Sequence, residues 1–383
     1  MAWARSPHSD RWIQALCVAD GGRRIYAASF AAPSGRGLRR RPRPRDHAVF
    51  ALDQFGAMNW RDVCSHFEGV HTLAASRDGN TVAAGGWYSS EPWAGFVTAW
   101  TGSGMRLLTW NEAPSRIDAV ALSADGTTLA AIGEALYLFH RKPGQPFSAQ
   151  PVATVELAGG FGSSLALDET GRWIVATDAG GSVHMFEQVG GALAERRYLW
   201  ETPAVGTVTR LALSSDGDWL LVGTGDGVLH MFNRPTFIAT SRPVWTYPVL
   251  ESSAPTGVAI SRDGSELVAL YERGDGGAVY VLGNRDGAPH LHWVKSTKHT
   301  PTIAEISPRT EAARGSGSDH WIAVADADPR GSSGNFYVFE GATGLIAGAH
   351  SCTAGCWALA FDEQGSRLIG GSDDGSVYAF ELP

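Results

Sequence analysis

The chain has 383 residues, 44% hydrophobic and 18% charged, with 47 glycines, 14 tryptophans and a formal net charge of −8. This balance predicts a well-buried, turn-rich all-β protein and argues against nucleic-acid binding over the surface as a whole. No apolar run approaches the ~18 residues that a membrane-spanning helix needs.

In chain order, one pattern keeps returning: an apolar first strand running into an Asp-Gly-type turn. It appears as LCVADGG from Leu16, LAASRDG from Leu73, VALSADG from Val120, LALDETG from Leu165, LALSSDG from Leu211 and VAISRDG from Val258. IAEISPR from Ile303 and LAFDEQG from Leu359 bring the copies to eight. Residues 209–233, TRLALSSDGDWLLVGTGDGVLHMFN, show the unit in full: strand, Asp216-Gly217 turn, strand, Asp226-Gly227 turn, strand. Asp and Gly suit such turns because they tolerate the positive φ of a right-twisted hairpin. A meander this short cannot bury both of its faces, so it requires neighbours of its own kind.

A fourth strand is marked by tryptophan at Trp60, Trp110, Trp200, Trp245 and Trp293, with Val155 midway across one double gap and Gly348 near the place where the seventh marker is due. Trp3, in AWARSP, resembles these markers, whereas the last copy has three strands and no fourth. The expectation is one domain over residues 1–383, an eight-bladed β-propeller of four-stranded antiparallel blades. Its N-terminal strand completes the C-terminal blade, so that closure removes exposed sheet edges. Tryptophans at repeat spacing read as core between blades.

The segment ALDQFGAMNW, from Ala51 to Trp60, resembles a quinoprotein (PQQ-like) repeat, and VFEGATG, from Val338, is a partial second match. HSCTAGCWALAFDEQGSRLIGGSDDGSVYAFE, from His350, resembles a WD-repeat with Phe380 where that family usually has Trp. The first resemblance implies eight blades. The second implies a scaffold role, with His350 bonded to the turn residue Asp374.

Departures from the repeat are the functional clues. The largest is a basic insertion in blade one, residues 29–47, holding Arg36, Arg39, Arg40, Arg41, Arg43 and Arg45. Guanidinium groups packed this densely read either as a clamp for an acidic partner or as a solvated loop. The corresponding loop of blade two, GGWYSSEPWAG, carries Trp87, Tyr88 and Trp93, which either anchor a partner or fold down over the blade edge. Both loops fall on the face, called here the top, that holds the second-to-third-strand turns and the inter-blade connections. Histidines and cysteines (His66, His299, His350, Cys352, Cys356) cluster in consecutive inter-blade segments, but their spacing matches no strong zinc pattern.

No nucleophile elbow, P-loop or His-Glu-x-x-His is present, nor the adjacent cysteine pair of quinone-dependent alcohol dehydrogenases. MAWARSPHSDRW lacks the apolar core of a secretory leader, and four cysteines make no disulfide framework, so a cytoplasmic location is expected. The reading is a non-catalytic binding platform without a cofactor. Its partner is a protein with an acidic patch, nucleic acid is the lesser alternative, and no membrane is involved. It would serve as a sensor or assembly module. The competing class is a small-ligand- or metal-binding propeller, or a quinoprotein-like enzyme, using the central channel.

Overall fold

The computed structural model describes residues 1–7, 12–30, 47–64, 69–87, 94–157, 159–201, 207–249, 253–285, 287–309 and 320–382. Its strands form eight four-stranded antiparallel blades. Blade 1 comprises Trp12–Ala19, Arg24–Phe30, His47–Asp53 and Met58–Cys64; blade 2 Gly69–Ala75, Thr81–Trp87, Gly95–Thr101 and Arg106–Ala113. Blade 3 has the short outer strand Ala153–Glu156 at the Val155 position, and blade 7 ends on Ile346–Cys352 around Gly348. In blade 8, Cys356–Phe361, Arg367–Ser372 and Val377–Glu381 are joined by Trp3–Arg5, with Trp3 opposite Ala379 and Arg5 opposite Val377. The N-terminal strand therefore closes the ring, as the marker Trp3 led one to expect.

The turns explain the recurrent Ser-x-Asp-Gly. Ser76 Oγ donates to Asp78 (2.7 Å), Asp78 accepts the Asn80 amide (2.9 Å), and Gly79 takes φ +64°. The same knot closes at Ser123–Asp125, Ser214–Asp216 and Ser261–Asp263. Burial raises the Asp78, Asp125 and Asp263 carboxyls, but the hydrogen bonds outweigh it and hold all three below the usual range.

Second strands such as Thr128–Ile132 and Trp321–Ala327 are wholly buried, while first strands are half-exposed because their inner edge lines the channel. Two departures stand out. A bridge between Phe30 and Gly69 fuses blades 1 and 2 into one eight-stranded sheet. Glycine is required there, since a Cβ on Gly69 would lie 2.5 Å from the Phe30 ring. Blade 5 inserts a helix, Arg234–Thr240, that buries Phe237 against Phe232 at 5.2 Å. The sequence reading passed over this helix, whose one local signal is a proline in its first turn.

Candidate functional site: the two mouths of the channel

At the bottom, the first-to-second-strand turns converge on the channel. Backbone bonds link them blade to blade: Asp20 N to Arg77 O, Arg77 N to Ala124 O, Ala124 N to Glu169 O, Glu169 N to Ser215 O and Ser215 N to Arg262 O, all between 2.8 and 3.0 Å. Blade 7 places Pro308 in this series, a residue with no amide hydrogen to pass on. Arg77 reaches across the opening to Glu169 and to Glu363 (3.2 Å), so these three charges satisfy one another.

Just inside, the second residue of the first-strand motif is alanine in six blades: Ala74, Ala121, Ala166, Ala212, Ala259 and Ala360. In blade 7 strand pairing sets the copy one residue later, with Ala304 as its first residue and Ser307 at the turn serine. Glu305 therefore takes this position, and burial pushes its carboxyl up to about 7. Blade 1 has Cys17, whose thiol burial raises to about 12. Aligning the copies would have exposed Glu305; reading IAEISPR merely as a loose repeat concealed it.

The top mouth is different in kind. A cavity of about 790 Å³ opens between blades 5 to 8 and Trp12 of blade 1. Trp357, 41% exposed, donates its ring N–H to Asp373 Oδ2 at 2.7 Å. The other carboxylate oxygen, Oδ1, is buried without a hydrogen-bond partner among the described residues, although Gln14 stands beside the group. Burial pushes Asp373 up to about 7, against the opposing influence of the Trp357 and Gln14 side chains. Glu272 lines the same cavity. Arg210 spends its guanidinium on the carbonyls of Thr256 (2.8 Å) and Thr209 (2.7 Å). Asp328 is tied up by Ser332 and the Arg330 amide. The group left seeking a partner is thus a buried carboxylate oxygen beside an exposed indole. That arrangement accepts a cationic donor, through both hydrogen bonding and cation–π contact.

Of the residues singled out from sequence, Arg36, Arg39, Arg40, Arg41, Arg43, Arg45, Tyr88, Trp93 and His66 lie outside the described residues. Trp87 packs 5.3 Å from Phe30 and 5.1 Å from His71, ring to ring, so it folds onto the top edge of the fused blades 1 and 2. His299 bonds Ser333 through its ring (3.0 Å) and the turn residue Asp326 through its amide (2.9 Å).

His350 departs from expectation. It lies within an outer strand, opposite Phe336, and packs against Tyr378 and Phe380. The bond to Asp374 comes instead from the Tyr378 hydroxyl at 2.5 Å, because the third-strand side chain stands directly over the turn. Blade 4 uses the same device, His184 to Asp178 at 2.7 Å, and blade 7 has Tyr337 to Asp326 at 3.0 Å. Cys352 and Cys356 are buried and close enough to interact, which lowers the Cys352 pKa and raises that of Cys356, while the Cys356 thiol donates to the Ala354 carbonyl at 3.9 Å. Among the described residues, no three His, Cys, Asp or Glu side chains gather so as to hold a metal ion. No helix among them is long and apolar enough to cross a membrane.

Residues 200–233 and 345–381 match the family model described as WD domain, G-beta repeat. The first match takes the end of the outer strand of blade 4 with the first three strands of blade 5. The second takes the outer strand of blade 7 with the first three strands of blade 8, and both lie outside the two quinoprotein-like stretches. Comparison with curated proteins gave no match. Among solved structures, the chain is similar to Chaetomium thermophilum Sqt1 bound to the N-terminus of the ribosomal protein L10, with TM-score 0.72 and 15% identity over 99% of this chain and 98% of that one. It is also similar to the β-propeller domain of Myceliophteria thermophila Cps50 (Swd1), with TM-score 0.59 and 13% identity over 82% and 97%. At such identities the likeness establishes the fold, a β-propeller, two stretches of which match the WD-domain model.

Proposed function

We propose that the chain works as one non-catalytic propeller that binds a polypeptide segment of a partner protein at the top mouth of its channel. The observation that carries this reading is Asp373, whose buried Oδ1 lacks a partner while Trp357 stands exposed beside it. A lysine, an arginine or a free amino terminus supplies the missing donor and stacks on the indole. The similar Sqt1 structure holds the N-terminus of another protein, which supports a polypeptide as the ligand class. The arginine-rich segment, residues 36–45, would meet an acidic stretch of the same partner. A cytoplasmic assembly or sensor role fits this reading.

The test is quantitative affinity capture from the source cells, with wild type compared to Asp373→Asn, Trp357→Ala and deletion of residues 36–45, each checked to be folded by a cooperative melt. Loss of one protein with either mouth substitution supports the reading. Identical recovery by wild type and both mouth variants would sink it, and a loss confined to the deletion would transfer the site to the arginine segment.

A further inference from the structure

Four outer strands carry tryptophan at one register position. Trp3, Trp60, Trp245 and Trp293 lie opposite Ala379, Ala51, Met231 and Val281, each two residues before the end of its blade's second-to-third-strand pairing. Each indole then crosses to the following blade, where its N–H finds an acceptor on the residue just after that pairing. Trp3 donates to Gln54 O (3.0 Å), Trp60 to Gly102 O (2.9 Å), Trp245 to Asn284 Oδ1 (3.0 Å) and Trp293 to Gly341 O (2.7 Å).

The equivalent position in blade 7 is Gly348, opposite Val338, with Glu340 two residues on opposite Trp321. The equivalent acceptor in blade 8 is Leu382, which follows Glu381 opposite Arg367. Leu382 is held as its counterparts are, its amide donating to Ser366 O at 2.9 Å just as that of Gly341 donates to His320 O at 3.1 Å. The seat is therefore built, and its indole is missing. A Cβ placed on Gly348 meets nothing within 4 Å. A slot of about 430 Å³ remains, walled by Phe336, Val338, His350, Leu368, Phe380 and Leu382.

The other substitutions at this position are covered. Blades 2 and 4 place Leu108 and Tyr198 there. Blade 3 has Ala153, and Leu193 from the extended outer hairpin of blade 4 packs into that joint. In blade 8 the third strand pairs with Trp3–Arg5, and among the described residues no outer hairpin lies over the slot. Its edge carries Met1, 68% exposed.

The geometry points to a second binding site between blades 7 and 8 that takes the tryptophan side chain of a partner polypeptide. The ring would lie where Trp293 lies one joint earlier, between Phe380 and Leu368, with its N–H aimed at the Leu382 carbonyl. A second copy of this chain is a poor donor: among the described residues Trp357 alone of the tryptophans is more than a third exposed, and its N–H is committed to Asp373. The site stands independently of the top-mouth reading.

The probe is N-acetyl-5-fluorotryptophanamide, followed by fluorine NMR and by the His350 ring protons of the full chain. Saturable broadening at millimolar probe is expected. The His350 resonances should shift while those of His71, on the blade 1–2 edge, stay fixed. Gly348→Trp should fill the slot from within, raising Tm by a few degrees and weakening the probe at least tenfold, while Asp373→Asn leaves the probe unaffected. Absence of saturable binding to wild type, or equal binding by folded Gly348→Trp, overturns the proposal. Should Gly348→Trp fail to fold, the His350-against-His71 comparison in wild type decides alone. A concentration-dependent dimer dispersed by the probe would overturn the partner reading in favour of a second copy.

Discussion

The two mouths of the channel are made by the same eight repeats and finish in opposite electrostatic states. The bottom is assembled from the turns that the Ser-x-Asp-Gly motif dictates, so neighbouring backbones reach one another and Arg77 spans the opening to two glutamates. The top is assembled from connections that the repeat leaves free to vary. There a half-buried carboxylate keeps one buried oxygen unmatched among the described residues, beside an exposed indole. Where the repeat is strict the protein satisfies itself; where it relaxes, it leaves groups for something else to satisfy. The sharpest way to break this contrast is at Asp373. Asp373→Ala should lower partner affinity by about 10- to 100-fold, since a charge-assisted hydrogen bond is worth ~1.5–3 kcal/mol. Arg77→Ala should leave that affinity unchanged. Titration calorimetry with the captured partner reads both.

A smaller effect concerns pH. Asp373 and Glu305 are raised to about 7 in the folded chain, above the unfolded carboxylate range of ~4. The folded state therefore holds protons more tightly than the unfolded one, and this contribution to stability falls as pH rises from about 4 to about 7, then levels off. Melts at pH 5 and pH 8 should show a larger gap for wild type than for Asp373→Asn, with the variant gaining at pH 8. Glu305→Gln should act in the same direction. A wild-type gap no larger than that of either variant would contradict the assigned protonation. Partner binding through Asp373 carries the opposite sign, strengthening as pH rises through 7, because the carboxylate has to be charged to accept a cation.

The fold was legible because the signals were local and repeated: an aspartate and a glycine at seven of the eight first-to-second-strand turns, and an indole on six of the eight outer strands. Trp3 alone revealed the closure. The site was much less legible. Asp373 reads in sequence as one more turn residue next to Asp374; strand pairing within blade 8 sets it beside Trp357, and only the ring adds Gln14 from blade 1. Glu305 looks like a blemish in a degraded copy until alignment puts alanine at that position in six others. His350 was assigned a bond by resemblance, but strand register placed Tyr378 over Asp374 instead. Gly348 was visible as a missing marker, yet its meaning depended on the Leu382 acceptor one blade away.

The smallest expected effect tests the self-satisfied mouth. Arg77 is 44% exposed and its glutamate partners are 35% exposed, so solvent screens the pairs and the backbone belt carries most of the closure. Arg77→Ala should therefore cost only ~0.5 kcal/mol, a Tm loss near the limit of detection, and 0.5 M salt should erase most of the difference. Glu169→Ala combined with Arg77→Ala should cost no more than Arg77→Ala alone, because the second removal deletes a charge whose partner is already gone. A loss of several kcal/mol, insensitive to salt, would mean that the ion pairs hold the bottom mouth closed. The belt of turn-to-turn amide bonds would then be a consequence of that closure instead of its cause.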